Sequence, residues 1–198
     1  MIFLLPSFPA ESASSATVAN HTKPHFTYFL DIFSGASSPI SVAVRALHAD
    51  SIEVMDLIFG QHCDLLDDGV LHNVLDLAAS GLVGATLAAP YCSKHSMATL
   101  RANGPPPVRT PEALDGLDTN TVLQDLQVQE SAAVHDRARH ILTQVAAKGG
   151  IVVLKNPLTS MTWLDGLMSA WVRAIAPYLK DRLHILPALY NLTQGVTQ

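Results

Sequence analysis

Short uncharged apolar runs alternate along this chain with longer stretches whose apolar residues recur at helical spacing. The clearest run is Leu82–Ala89, which carries no charge and stops at Pro90. Such a run predicts a strand buried on both faces, as in a parallel sheet. His25–Ile32 is aromatic and apolar and predicts a first strand. Ser51–Leu57 predicts a second, Cys63–Leu66 a short third and Ile151–Leu154 a fifth. Pro39 suits a first helical position, and Ile40, Ala43, Val44 and Leu47 follow as a stripe. Val70, Leu71, Val74, Leu75 and Ala78 predict a helix over Val70–Ala79, stopped by Gly81. Val134, Ala138, Ile141, Leu142 and Val145 predict one over Ala132–Ala147, ended by Gly149-Gly150. Leu164, Leu167, Met168, Trp171 and Ile175 predict an amphipathic helix over Met161–Ala176, limited by Pro177. Leu183–Leu189 is a candidate last strand, weakened by Pro187.

Strands alternating with helices predict βαβ units, and with them an α/β fold: a three-layer sandwich on a mostly parallel, Rossmann-like sheet. Residues 1–24, rich in Ser, Ala and Pro after Leu5, read as a disordered or loosely attached tail. Residues 25–198 read as one domain. Arg101–Thr121 contains Gly-Pro-Pro-Pro and reads as a loop.

Composition narrows the function classes. The chain has 198 residues, 48% hydrophobic and only 15% charged, enough for one domain with a sizeable core. A formal charge of −5 argues against holding nucleic acid by bulk electrostatics, though it allows a local basic patch. The two cysteines, Cys63 and Cys92, form no disulfide framework or zinc pattern, so no metal is expected and a reducing, intracellular compartment is. Met1–Leu5 lacks a basic flank and is too short for a secretory segment, and no run could span a bilayer.

Polar residues gather where three predicted strands end: Asp31-Ile-Phe-Ser-Gly-Ala-Ser-Ser-Pro39, Pro90-Tyr-Cys-Ser-Lys-His-Ser96 and Leu154-Lys-Asn-Pro157. In open α/β sheets ligands bind beyond the carboxyl ends of the strands. In order and spacing these three motifs resemble the catalytic core of cytosine-5 DNA methyltransferases, within the S-adenosylmethionine-dependent methyltransferase fold. The family opens with Asp-Leu-Phe-Ala-Gly-x-Gly-Gly, carries its nucleophile in Pro-Pro-Cys-Gln-x-Phe-Ser, and has Glu-Asn-Val after a hydrophobic strand. The resemblance covers roughly Phe26 to Trp171. It implies that Cys92 is the nucleophile and that Asp31, Phe33, Gly35, Asp56, Asp64 and Pro90 line an S-adenosylmethionine site. It also implies a nuclear or cytoplasmic protein with DNA as partner.

The departures are specific. Serines replace the later glycines of the first motif. Ser93 replaces the glutamine after the cysteine. Lys155 stands where the family's glutamate engages the cytosine ring, and a lysine donates but cannot accept that hydrogen bond. Methylation at carbon 5 needs a thiolate that adds to carbon 6 of a flipped base. Lys94 or His95 could lower the Cys92 pKa. Lys94, Arg101 and Arg109 lie in an acid-free stretch and are candidate phosphate contacts on a mobile loop.

Plainer roles stand beside these. Cys92 can be a free cysteine at the rim of a core. Asp31 and Asp56 can cap helices, and the acids of Asp64–Asp68 can be a solvated turn. Lys155 can sit in a salt bridge or neutralise a phosphate or carboxylate. Cys63 reads as buried filling, His135 and His140 as exposed, and Trp163 and Trp171 as core on one helix face. Two functions follow: a methyltransferase-like domain, active or inactive, or a non-catalytic nucleic-acid- or protein-binding module that kept the fold. A cysteine hydrolase built on Cys92 and His95 would need a third orienting group.

Overall fold

The computed structural model describes residues 2–3, 27–47, 52–157 and 160–179. Among these, five strands form one sheet: β1 (Ile2–Phe3), β2 (Tyr28–Ile32), β3 (Ile52–Met55), β4 (Val83–Ala88) and β5 (Ile151–Leu154). Their order is β1-β5-β4-β2-β3. β2 to β5 are mutually parallel, and β1 lies antiparallel on the edge of β5. Four helices accompany them: α1 (Pro39–Leu47), α2 (Asp68–Ala79), α3 (Val122–Ala147) and α4 (Gly166–Leu179). The fold is thus α/β, and the uncharged Leu82–Ala89 run supplies the central strand.

Side chains alternate between the two faces of a strand. Leu30 and Ile32 of β2, with Val152 and Leu154 of β5, join one core with Val74 and Ala78 of α2 and Ala138, Ile141, Leu142 and Val145 of α3. Asp31, between Leu30 and Ile32, points the other way and accepts a 2.6 Å hydrogen bond from Ser41 Oγ of α1. Hence α1 covers one face, and α2 and α3 cover the other. α4 packs on α3: Met168 and Ile175 enter the core, and Trp171 Nε1 donates to Thr143 Oγ1 at 2.9 Å.

From β2 the chain moves outward to β3, then returns across β2 to β4. The connections therefore diverge between β2 and β4, which makes that crevice the topological switch point. Ile32 is level with Met55 and with Ala88, and Ala88 is level with Leu154. The four carboxyl ends accordingly share one edge.

Several elements depart from the pattern reading. Cys63–Leu66 is no strand: Gln61–Cys63 is a turn of 3-10 helix, with Cys63 buried. Asp64 Oδ1 takes the Leu66 N–H at 2.8 Å, and Asp67 Oδ1 takes those of Gly69 and Val70. Such local bonds hold the backbone away from a ladder. α1 begins at Pro39, but Ile40 and Ala43 are exposed and Ser41 is buried. A buried carboxyl group needs a donor, and that requirement sets which face of α1 turns inward. α3 starts ten residues before the predicted Ala132, because Val122, Leu123 and Leu126 are exposed and leave no periodic trace.

The Met161–Ala176 helix is in fact a 3-10 turn, Met161–Leu164, followed by α4. Asp165 interrupts it by accepting the Leu167 N–H at 2.8 Å, and Leu164 and Leu167 are exposed rather than core. Trp163 and Trp171 therefore sit on different elements, each packed against the core. Pro177 lies inside the last turn of α4 instead of after it; the one bond it forfeits, to the Arg173 carbonyl, falls at an exposed residue. Ile2–Phe3, expected in a loose tail, covers the open edge of β5. The rest of that tail, the start of the first predicted strand and Leu183–Leu189 lie outside the described residues.

Candidate functional site

The turn after β2 faces the end of β3. Phe33, Gly35 and Ser38 adopt positive φ of 58°, 72° and 36°. Left-handed backbone is costly for residues other than glycine and collects at ligand sites. Ser34 and Ser38 close the turn through a 2.8 Å hydroxyl pair, and the Ser38 N–H donates to the Gly35 carbonyl. Ser34 and Ser38 thus stitch this loop. Gly35 is exposed and donates its N–H to Asp56 Oδ2 at 2.9 Å, while Asp56 Oδ1 accepts from the Ile58 N–H. A carboxylate oxygen can accept more than one bond, so Asp56 keeps acceptor capacity.

Asp31 lies just below this turn, 1% exposed, with Oδ1 buried and without a partner. Burial outweighs the Ser41 hydrogen bonds and raises its pKa above 3.8. It therefore joins β2 to α1 and is not open to a ligand. Asp64 is half-buried and tied to Leu66, and Phe33 is half-buried against the core.

Across the switch point, the chain after β4 runs through buried Pro90 to half-buried Cys92. Tyr91 donates to Glu130 Oε1 at 2.8 Å, which ties this tip to α3; burial and that acceptor together raise the phenol pKa. Lys155 follows β5, exposed, its N–H on the Ala88 carbonyl. Of the three basic candidates, Arg101 is exposed and Lys94 half-buried, but Arg109 is 4% exposed. Arg109 is therefore no solvent-facing phosphate contact. The Val108–Asn120 segment folds back on itself, with Leu117 N–H and Asn120 Nδ2 on the Val108 carbonyl, and carries Arg109 inward.

Inside, a polar network joins the ends of β4 and β5 to α3. Arg109 Nη1 donates to His95 Nε2, and Arg109 Nη2 to the Val128 carbonyl. His95 Nδ1 then donates to Ser131 Oγ at 3.1 Å. His135 Nδ1 donates to the Ser131 carbonyl at 2.8 Å, so its Nε2 is the acceptor for Asn156 Nδ2 and Thr162 Oγ1. The two imidazole rings lie 4.5 Å apart. Desolvation, then the neighbouring His135 and the two arginines, push His95 down to about 3; desolvation likewise lowers His135. Both rings are neutral. His135, expected at the surface, is 3% exposed, whereas His140 is exposed as expected.

This network also answers the cysteine-hydrolase alternative. Both ring nitrogens of His95 are engaged by Ser131 and Arg109, so the imidazole is not free to serve Cys92 as a base. Sequence reading missed Ser131, Arg139, Ser160 and Thr162. The available signal was the four-residue spacing of Ser131, His135 and Arg139, which places three polar side chains on one inward stripe of α3.

Among the described residues no group of three or more His, Cys, Asp or Glu is placed to hold a metal, and no helix is long and apolar enough to cross a membrane. No protein-family model matches the chain, and no curated protein or solved structure matches it.

Proposed function

We propose that this chain is a methyltransferase-like domain that binds S-adenosylmethionine in the crevice between β2 and β4 and presents Cys92 toward a nucleic-acid base. The observation that carries this reading is the 2.9 Å contact between the Gly35 N–H and Asp56 Oδ2. It brings a left-handed turn and an acceptor carboxylate together beside the switch point, where an adenosine ribose needs both close backbone and a charged acceptor. The Rossmann-like strand order supports it, as does Cys92 beyond the neighbouring β4. DNA is the partner this reading implies, with Lys94 and Arg101 as the basic residues left to meet phosphates.

The second reading, a non-catalytic module with the same fold, is favoured by one residue. Lys155 cannot accept a hydrogen bond, so it offers no substitute for an acid on the cytosine ring. The two readings separate by titration calorimetry with S-adenosylmethionine and by a covalent trap. The proposed domain binds the cofactor, and Asp56→Ala weakens binding by roughly 1.5–3 kcal/mol, the loss of a charged acceptor. DNA bearing 5-fluorocytosine forms a denaturation-resistant adduct with the wild type and none with Cys92→Ser, and Lys155→Glu raises the yield. Cofactor binding without an adduct in either background supports the module. No heat of binding at millimolar cofactor sinks the S-adenosylmethionine reading.

A further inference from the structure

We propose that the cavity between α3, the Arg109 segment and the turn before α4 binds the oxyanion group of a small molecule, with the Arg109 guanidinium as its anchor. The cavity is about 210 Å³ and is lined by Arg109, Arg139, His95, His135, Asp115 and Asp165 among others. It includes none of Gly35, Asp56 and Cys92, so the inference is independent of the cofactor reading.

The guanidinium is the unusual feature. A guanidinium stays charged in proteins, and a charge taken out of water needs a counter-charge or a full set of acceptors. Arg109 has neither. Its two terminal nitrogens meet a neutral imidazole and a carbonyl. Its Nε is buried without a partner, and among the described residues it forms no ion pair. An oxyanion in the cavity would supply the missing acceptor at Nε and, with it, a counter-charge in direct contact.

The neighbours restrict the ligand. Arg139 adds a second cation but is already paired with Asp136 at 3.1 Å. His95 and His135 are neutral and offer no competing charge. Asp165 is committed to the start of α4 through the Leu167 N–H, and Asp115 is exposed. These two acids in the lining disfavour polyanions such as a nucleic-acid backbone. They suit a compact molecule that carries a donor or cationic group beside its one oxyanion.

The test titrates the full chain with sodium phosphate, sodium acetate and glycine at constant ionic strength, following the melting temperature and the heat of binding. A ligand bound only by the native state raises the melting temperature in a saturable way. Saturation by phosphate alone assigns a phosphate ester, saturation by acetate a carboxylate, and a stronger response to glycine than to acetate a zwitterion. Arg109→Gln weakens the response by about tenfold or more, as expected for loss of a charge-assisted bond. Because that variant also removes bonds to His95 and Val128, Gln129→Glu is the companion. Gln129 is an exposed lining residue of α3, and an added negative charge there weakens the response while every Arg109 bond stays in place. The proposal is overturned if the wild type responds to none of the three beyond a chloride control. An undiminished response in folded Gln129→Glu and Arg109→Gln overturns it equally.

Discussion

His95 and His135 make the folded state sensitive to acid. Each is neutral in the fold and would be charged in the unfolded chain below the ordinary histidine pKa of 6.5. The unfolded state then binds more protons than the native state, so stability rises with pH across the window and is lost as pH falls. For His95 the window runs from 6.5 down to about 3. Each histidine contributes a slope of up to about 1.4 kcal/mol per pH unit. Asp31 has the opposite sign: its raised pKa makes the native state the better proton binder above 3.8, which partly offsets the histidines at the acid end. Urea titrations at a series of pH values below neutrality should show stability falling steadily. His135→Gln should flatten that slope, and an unchanged slope in the variant would assign the acid sensitivity to other groups. At this scale the sequence names the polar residues but not their depth. His135 and Arg109 look like surface residues in a list of charges, and only the fold-back of the Val108–Asn120 segment and the turn of α3 bury them.

Among the elements, α3 is the longest and the one on which the polar network is built. Its start is set by a capping box: Thr121 Oγ1 accepts the Gln124 N–H, and Gln124 Oε1 accepts the Thr121 N–H. Thr121→Ala should cost about 1 kcal/mol. Its exit to β5 is tighter. A Cβ on Gly150 would stand 2.5 Å from Val145 Cγ1 and 2.7 Å from the Val83 carbonyl oxygen. Gly150→Ala should therefore lower the denaturation midpoint more than Thr121→Ala, because backbone of the central strand would have to move. The reverse order would mean that the α3–β5 junction is more pliable than its packing implies. The capping pair was legible in the sequence as Thr-x-x-Gln, yet hydrophobic periodicity passes over it, since the first turns of α3 expose their leucines.

For the whole molecule, the two free cysteines report different openings. Cys92 is half-buried at the β4 tip, and Cys63 is 6% exposed in the core. A thiol reagent should modify Cys92 in the native protein. Modification of Cys63 should follow the unfolding equilibrium and slow in parallel as stability rises. Native-state labelling of Cys63 at the rate of Cys92 would show that the region between β3 and α2 opens by itself.

The α/β alternation, the central uncharged strand, the carboxyl-end clustering of Asp31–Pro39, Pro90–Ser96 and Leu154–Pro157, and the inward stripe of α3 were all determined by the sequence alone. Each depends on a local period of two or of 3.6, or on a glycine or proline that ends it. Tertiary structure decided the rest. Whether Cys63–Leu66 paired as a strand depended on competing bonds from Asp64 and Asp67. Which face of α1 turned inward depended on a carboxyl group from another element, Asp31. Whether Arg109 met solvent or His95 depended on how a segment without periodicity folded back on α3. Burial of a polar group is settled by partners distant in sequence, and no local pattern encodes where those partners will be.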